Sequence, residues 1–498
     1  MTKPILAGLD IGTSKIRCVL FNIKGQPVFN YSIKTPIVKK SDGYYNPVED
    51  IYLIIIKILK KSFKFSMEKN FIIKGISISS VGEAGIAIDK NYKPLIDIIP
   101  WYDQRTEIIR NNFLKKNKKI KIYKNTGLNS DHFYSAYKIL WIKKYKLNIY
   151  KKIYKWLPIN DYYSMKLTNN ISTDYSQAMR TLLFDPKKLK WSKNMIRKFG
   201  IKENILPKII NAGDKKGFIN DKIKKILKIK YDCIVGAGGH DHFVGIYGLG
   251  GFYKNTIVNS LGSAEAISIN TEKYTTNNKL KNGKFISGVF KTNSRTSFYI
   301  VGSILTSGII IDWFIKTFNI KNFDELNNIN PTFKNKDILF FPQFEFSHSP
   351  INSLKTKGAI MGINRSTTIE DIYSSILKCL TFDTKHALEF MANNSNIKIT
   401  KIISSGGSVN NKNWMKLRAN ILNQNLYIDK NIENVSLGSA ILAGIACNIY
   451  KNDDDAFKRI KNNFTIIKRD KNKIKENYLL FNKYKSSIKN IIELNKIL

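Results

Sequence analysis

Along this chain short apolar runs end on glycine-rich turns, which predicts buried strands that present polar tips. Residues 5–9 (ILAGL) form the first such run, DIGTSK (10–15) follows, and IRCVLFNI (16–23) alternates with the period of two expected of a strand. KGQPV (24–28) reads as a turn into another strand. The pattern predicts a hairpin whose tip carries Asp10, Gly12, Thr13 and Ser14. A weakly similar pattern returns at 255–269, NTIVNSLGSAEAISI, as strand, small-residue turn (Leu261 to Ala264) and strand. Each copy opens one half of the chain, so two related α/β domains facing each other across a cleft are expected, with a boundary near 245–255.

Other segments fill in this outline. KGISISSVGEAGIAID (74–89) reads as strand, loop and strand, IIPWYDQRTE (98–107) as a loop into a helix, and 108–170 as helical. An apolar strand at Tyr231–Val235 ends on the glycines of GAGGHDH (236–242). Residues 374–391 have helical spacing, 399–422 read as strand, Gly-Gly turn and helix, and 436–450 as a small-residue helix able to pack closely on a sheet. After Lys451 the chain is polar and is expected to form a peripheral tail.

Length and composition narrow the class. A chain of 498 residues is too long for one core and suits two large domains. The net charge of +44 resembles a nucleic-acid signal, but lysine far outnumbers arginine and is scattered along the whole chain. Solvated lysine-rich faces explain it, and no specific nucleic-acid partner is expected. The four cysteines lie far apart without metal-type spacing, which suits reduced thiols in the cytoplasm. MTKPILAGLDIGTSK lacks the long apolar region of a signal peptide, and IYLIIIKILKK (51–61) is too short and lysine-broken to span a bilayer. It reads as a buried helix, and no membrane partner is expected.

Three stretches can carry chemistry. In DIGTSK, a tight glycine turn exposes backbone N–H groups suited to phosphate, Thr13 and Ser14 add hydroxyls, and Arg17 adds charge. Asp10 could hold Mg²⁺ through water. The alternative is a plain hairpin with a polar tip; a P-loop is excluded because G-x-x-x-x-G-K-[ST] is absent. In GGSVNN (406–411), Gly407 admits close approach of a nucleotide and Asn411 can bond a base or sugar, or the stretch is a turn and helix cap. In GGHDH (238–242), Asp241 stands between His240 and His242. Neighbours on an extended chain point to opposite sides, which disfavours a shared metal. A polar strand end and a general base remain.

Seven segments in order resemble the FGGY family of carbohydrate kinases, over roughly residues 4–450: GLDIGTSKIR (8–17), PWYDQR (100–105), TDYSQAMRTLLFDPKKLKWS (173–192), GGHDH, NSLGSAEA (259–266), GSILTSGIIIDWF (302–314) and SGGSVNNKNWMKLRANIL (405–422). The resemblance implies two ribonuclease-H-like (actin-like ATPase) domains, at 1–250 and 251–450, with a tail at 451–498. It implies an ATP- and Mg²⁺-dependent sugar or polyol kinase in which Asp241 takes the proton from the acceptor hydroxyl. Asp10, Gly12, Thr13, Ser14, Arg17, Gly262 and Ser263 would line the phosphate path, and Gly308, Gly407 and Asn411 would lie along the adenosine. Candidate sugar contacts are Gly82, Glu83, Trp101, Asp103, Arg105 and His242.

The acceptor pattern departs from two branches of that family. Glycerol kinases carry Arg-Glu where this chain has Gly82-Glu83, and Asp-Gln where it has Asp241-His242; xylulose kinases usually carry Met-His at the first place. A pentulose, hexulose or related polyol is the expected class. The alternatives are a non-catalytic actin-like nucleotide binder or a decayed kinase. Homodimers are common in the family, so a homodimer is expected by analogy alone.

Overall fold

In the computed structural model the first apolar run is strand β1 (Lys3–Ile11), with Ile5, Ala7, Leu9 and Ile11 buried. The structure describes residues 2–497, apart from 322–325, 327–328, 330, 332–337, 345–348, 352–356, 431–432 and 461–462. β1 turns through Gly12–Ser14 into the antiparallel β2 (Lys15–Asn22), which sets Asp10 opposite Arg17, and β3 (Pro27–Lys34) follows. On its other side β1 pairs in parallel with β4 (Phe71–Ser80). β5 (Lys215–Phe218) and β6 (Ile234–His240) complete a sheet of order β5-β6-β4-β1-β2-β3.

Helices cover both faces of this sheet. Helix Val48–Glu68 turns Ile51, Ile55, Ile58 and Leu59 into a cluster shared with Tyr162 and Tyr163 of helix Ile159–Thr168. Helix Asn434–Ala446 lies across β1, β4 and β6. The small residues expected to let it approach a sheet do so on both sides of the contact. A side chain at Gly8 of β1 would overlap the Ser436 carbonyl, and a Cβ at Gly75 would stand 2.8 Å from the Ala443 oxygen. The glycine-rich end of the expected strand Tyr231–Val235 is itself strand: β6 begins at Ile234 and runs through the glycines to His240, paired with β4. A Cβ at Gly236 would come within 2.8 Å of Ala446 Cβ, so the glycines there give the helix room.

The second sheet repeats the plan. β7 (Thr256–Leu261) and β8 (Glu265–Thr271) form an antiparallel hairpin, and β9 (Ile286–Lys291) and β10 (Thr296–Ile304) extend it. β11 (Lys401–Ser405) pairs in parallel with β7, followed by β12 (Leu426–Ile428) and β13 (Thr465–Ile467). In each sheet the opening strand has its hairpin partner on one side and a parallel strand on the other, which is the repeat expected from the two small-residue turns.

The two compact units are not contiguous in sequence. The first comprises 1–250, 288–298 and 433–462, and the second 251–287, 299–432 and 463–498. Residues beyond 450 are therefore built into the units rather than appended to them. In the second unit, Tyr484 of helix Ile474–Ile497 is buried, stacks on Phe341 with ring centroids 5.2 Å apart, and donates its hydroxyl to Asp383 at 2.9 Å. In the first, Asp453 is buried and accepts from Tyr247 and Thr292 at 2.8 and 2.6 Å.

Candidate active site

The hairpin tip is a closed turn. The Gly12 N–H donates to the Lys15 carbonyl at 3.0 Å, and Thr35 Oγ1 donates to the Gly12 carbonyl at 2.8 Å, which leaves Thr13 and Ser14 exposed. Behind the tip, at the end of β1, Asp10 Oδ1 accepts from Ser79 Oγ at 3.3 Å. Burial, then the nearby charge of Asp241, raises the Asp10 carboxyl to about 8, with Arg17 pulling the other way. Arg17 is ion-paired with Glu433, immediately before helix Asn434–Ala446.

β6 ends at His240, and helix Asp241–Gly248 begins at the next residue. The alternation of an extended chain therefore stops there, and adjacent side chains meet, contrary to the expectation that they diverge. His240 Nδ1 lies 2.9 Å from Asp241 Oδ1, which also accepts the His242 backbone N–H at 2.6 Å. On its far side His240 Nε2 is 3.7 Å from Glu83 Oε1. Burial alone would lower the imidazole pKa, but Asp241 and then Glu83 outweigh it and hold it at about 9. The two carboxylates thus favour the protonated ring, whose Nδ1 lies beside both Asp241 Oδ1 and, at 3.2 Å, the His242 backbone N–H. Burial would raise the Asp241 carboxyl, yet the His240 charge and hydrogen bond bring it below its ordinary value.

Glu83 is the next link. Its carboxylate is clamped by the Arg180 guanidinium through Nε and Nη2, and Arg180 lies over the Tyr134 ring at 5.1 Å. Despite burial, Arg180 and His240 hold the Glu83 carboxyl well below the usual range. Glu83 has a left-handed backbone (φ 64°), unusual for a side chain of this size. Its carbonyl is held by Lys138 Nζ at 3.1 Å and Ser135 Oγ at 3.3 Å. Lys138 is wholly buried, and burial brings its amine down to about 7 against the opposing pull of Glu83 and Asp103.

The segment TDYSQAMRT supports this array from behind. Asp174 caps helix Tyr175–Met179 by accepting from Ser176 and Gln177, and also accepts the Ser176 hydroxyl at 2.6 Å. Ser176 Oγ in turn accepts the His240 backbone N–H at 2.9 Å. Arg180 and Ser176 are neighbours of this array that reading the sequence for catalytic groups passes over, although both lie inside a segment that it singles out. Their signal is spacing: one helical turn separates the residue that holds the His240 backbone from the residue that clamps Glu83.

The loop 98–107 divides into two roles. Trp101 is 41% exposed and donates its indole N–H to Thr13 Oγ1 at 3.1 Å, linking the loop to the hairpin tip. Asp103 and Arg105 are turned into the wall. Asp103 accepts from Arg105 Nε at 2.7 Å and from the Tyr44 N–H at 2.7 Å, and Arg105 lies over the rings of Tyr45 and Trp141 at 4.3 and 5.1 Å. Both side chains are spent on fixing Gly43–Tyr45 against the loop. Of the six sugar-contact candidates, Gly82, Glu83 and His242 gather around the Glu83–His240–Asp241 array: a Cβ on Gly82 would meet the His240 ring, and the exposed His242 directly follows Asp241.

In the second unit three separate motifs converge. The N–H groups of Gly308 and Ile309 donate to the carbonyls of Gly262 and Ser263 at 3.2 and 3.1 Å. Gly406, with φ +99°, leaves no room for a side chain beside the Leu261 carbonyl, whereas a Cβ on Gly407 would meet no atom within 4 Å. Asn411 caps helix Lys412–Leu422 by accepting the Trp414 N–H at 2.8 Å, the cap alternative of the sequence reading. Arg418 of the same helix is wholly buried and pairs with Glu265 of β8 at 2.8 Å. Among the described residues no cluster of three or more histidine, cysteine or acidic side chains forms a metal site, and no helix is long and apolar enough to cross a membrane.

The N-terminal domain of the FGGY family of carbohydrate kinases matches residues 5–248 and the C-terminal domain matches 257–447. A xylulose kinase of Staphylococcus xylosus is 26% identical over 446 residues, covering 88% of this chain and 90% of its own. A glycerol kinase of Lactobacillus acidophilus is 26% identical over 483 residues, covering 94% and 93%. Among solved structures, Plasmodium falciparum glycerol kinase with ADP superposes with a TM-score of 0.88 at 23% identity, covering 97% of each chain. The two sheets thus belong to two ribonuclease-H-like, actin-like domains. Family matches to both halves of the chain establish that it belongs to the FGGY family of carbohydrate kinases, phosphotransferases that act on sugars.

Proposed function

We propose that this kinase transfers the γ-phosphate of ATP to a hydroxyl of a pentulose, hexulose or related polyol, with Asp241 as the general base. The observation that carries the reading is the placement of Asp241. His240 Nδ1 at 2.9 Å and the His242 N–H at 2.6 Å hold its carboxyl below the ordinary value while its side chain stays partly accessible. An ionised carboxylate is ready to accept the acceptor's proton as the oxygen attacks phosphorus. Phosphoryl transfer passes through a loose transition state, so positioning and charge matter more than a strong base.

The other groups fall into place around that step. Thr13, Ser14 and the Gly12 turn, with Gly262 and Ser263, bind phosphate oxygens, and Gly308 and Gly407 border the adenosine. Asn411, capping its helix, orients that edge. Arg17, paired with Glu433, favours the ionised form of Asp10 against burial and Asp241. Trp101, Glu83 and His242 contact the acceptor, while Asp103 and Arg105 hold the wall behind them. A magnesium ion suits the donor set: Asp10 accepts from Ser79 Oγ and lies close enough to Asp241 for the two carboxyls to repel, and a hard cation with oxygen ligands would relieve that repulsion. Asp10 would hold it through water, and it would supply positive charge to the phosphates.

The test is ATP consumption with Mg²⁺ across ketopentoses, ketohexoses, aldoses and polyols, including D-xylulose and glycerol, with Asp241→Asn alongside. Turnover on one class, reduced about 10²–10⁴-fold in the variant, is expected. An Asp241→Asn enzyme as active as the parent would sink the assignment of the base.

A further inference from the structure

We infer that His240 is a positioning residue that replaces the missing side chain at position 82 and ties the base Asp241 to Glu83. The catalytic part of this rests on the proposal that Asp241 is the base; the steric part does not. A Cβ built on Gly82 would collide with Cδ2 and Nε2 of the His240 ring, and would stand 3.1 Å from Arg180 Cγ. The ring therefore fills the space into which a side chain at 82 would grow. His240 is 4% exposed, and its backbone N–H is fixed by Ser176 at 2.9 Å, so the ring cannot easily give way.

From that place the ring faces two carboxylates. Nδ1 meets Asp241 Oδ1 at 2.9 Å, and Nε2 faces Glu83 Oε1 at 3.7 Å, with Arg180 beyond. The charged and titratable groups around the ring are Asp241 and His242 on its own turn, Glu83 from the loop after β4, and Arg180 from the end of helix Tyr175–Met179. The consequence is a division of labour. The group that bridges the two carboxylates comes from the end of the strand that leads into the base, and it is held off the acceptor because both ring nitrogens face protein carboxylates. A residue at 82 that reached the acceptor directly would displace it. The pocket therefore selects its acceptor without a side chain from position 82, and it depends on His240 to aim Asp241.

Two sets of variants test this separately. The steric claim is read by thermal unfolding of Gly82→Ala, His240→Ala and the double variant. Gly82→Ala should lower the melting temperature in the parent, and much less once the ring is gone. Strict additivity would overturn the claim whatever the activity. The positioning claim is read by steady-state kinetics on the acceptor found active in the sugar panel, with Asp241→Asn in parallel. His240→Leu should lower kcat about 10²-fold with KM for ATP unchanged. His240→Asn, which keeps a donor near Nδ1, should recover most of that loss. Wild-type kcat in His240→Leu, or equal losses in the Leu and Asn variants, would refute positioning. Full activity in Asp241→Asn would instead remove the base and the catalytic half of the inference, leaving the unfolding result to stand alone.

Discussion

Replacing Arg180 by methionine isolates the charge that holds Glu83. Methionine keeps most of the length and the apolar stem over Tyr134 but removes the guanidinium, leaving a carboxylate that is 9% exposed with His240, at 3.7 Å, and the more distant Lys138 as its cationic neighbours. Breaking one side of a buried ion pair costs about 3–5 kcal/mol. For a unit of this size each kcal/mol moves the midpoint by about 2 °C, so a drop of about 6–10 °C is expected at pH 7. The sign of the pH dependence follows from Glu83. Its folded pKa is depressed, so the stability it contributes is present above its ordinary 4.5 and is lost as pH falls below it. In the variant that contribution is largely absent at every pH. The difference in melting temperature should therefore hold from pH 7 to about 5 and shrink as pH is lowered from about 5 toward 3, measured by circular dichroism or scanning calorimetry in matched buffers. A deficit that stays constant across this range would show that Arg180 acts by packing on Tyr134 and not by charge.

Three further outcomes are expected. His240 has a folded pKa of about 9 against an ordinary 6.5, so its contribution is full below 6.5 and is lost as pH rises through 9; the parent should lose more melting temperature over that interval than His240→Asn. Gly406→Ala should destabilise the second unit by about 2 kcal/mol, because it combines a positive φ with contact on the Leu261 carbonyl, while Gly407→Ala should leave thermal stability unchanged and weaken nucleotide binding in calorimetry. Trp101→Phe removes one hydrogen bond to Thr13, worth about 1 kcal/mol, and should lower the melting temperature by about 2 °C while raising an apparent KM up to about 5-fold.

Much of the fold is legible in the sequence where the signal is local. The hairpin at 3–22 follows from alternation and a glycine turn, both confined to a few residues. The close packing of helix Asn434–Ala446 follows from its small side chains. Four residues, Lys155–Pro158, form a strand against Gly85–Ile88 inside a stretch that reads as helical, because four residues are too few to show a period and the partner lies some 70 positions away. The site is legible as a set of motifs but not as a geometry. Asp103 and Arg105 carry the residue types of a sugar contact, yet they satisfy each other and Tyr44, a pairing that depends on where a distant β-hairpin lands. His240 is misread for a related reason: strand alternation holds only while the chain stays extended, and it bends into a helix at the very residue in question.

The return of the chain to the first unit at residue 433 bears on synthesis at the ribosome. The sheet strands of that unit are all made by residue 240, but the helix that closes over Gly8, Gly75 and Gly236 emerges only after the chain has passed 434. At about 5–20 residues per second, that face of β1, β4 and β6 waits roughly 10–40 s for its cover. A nascent chain halted before residue 434 should therefore expose an apolar sheet face to chaperones, and one halted well beyond residue 462 should not.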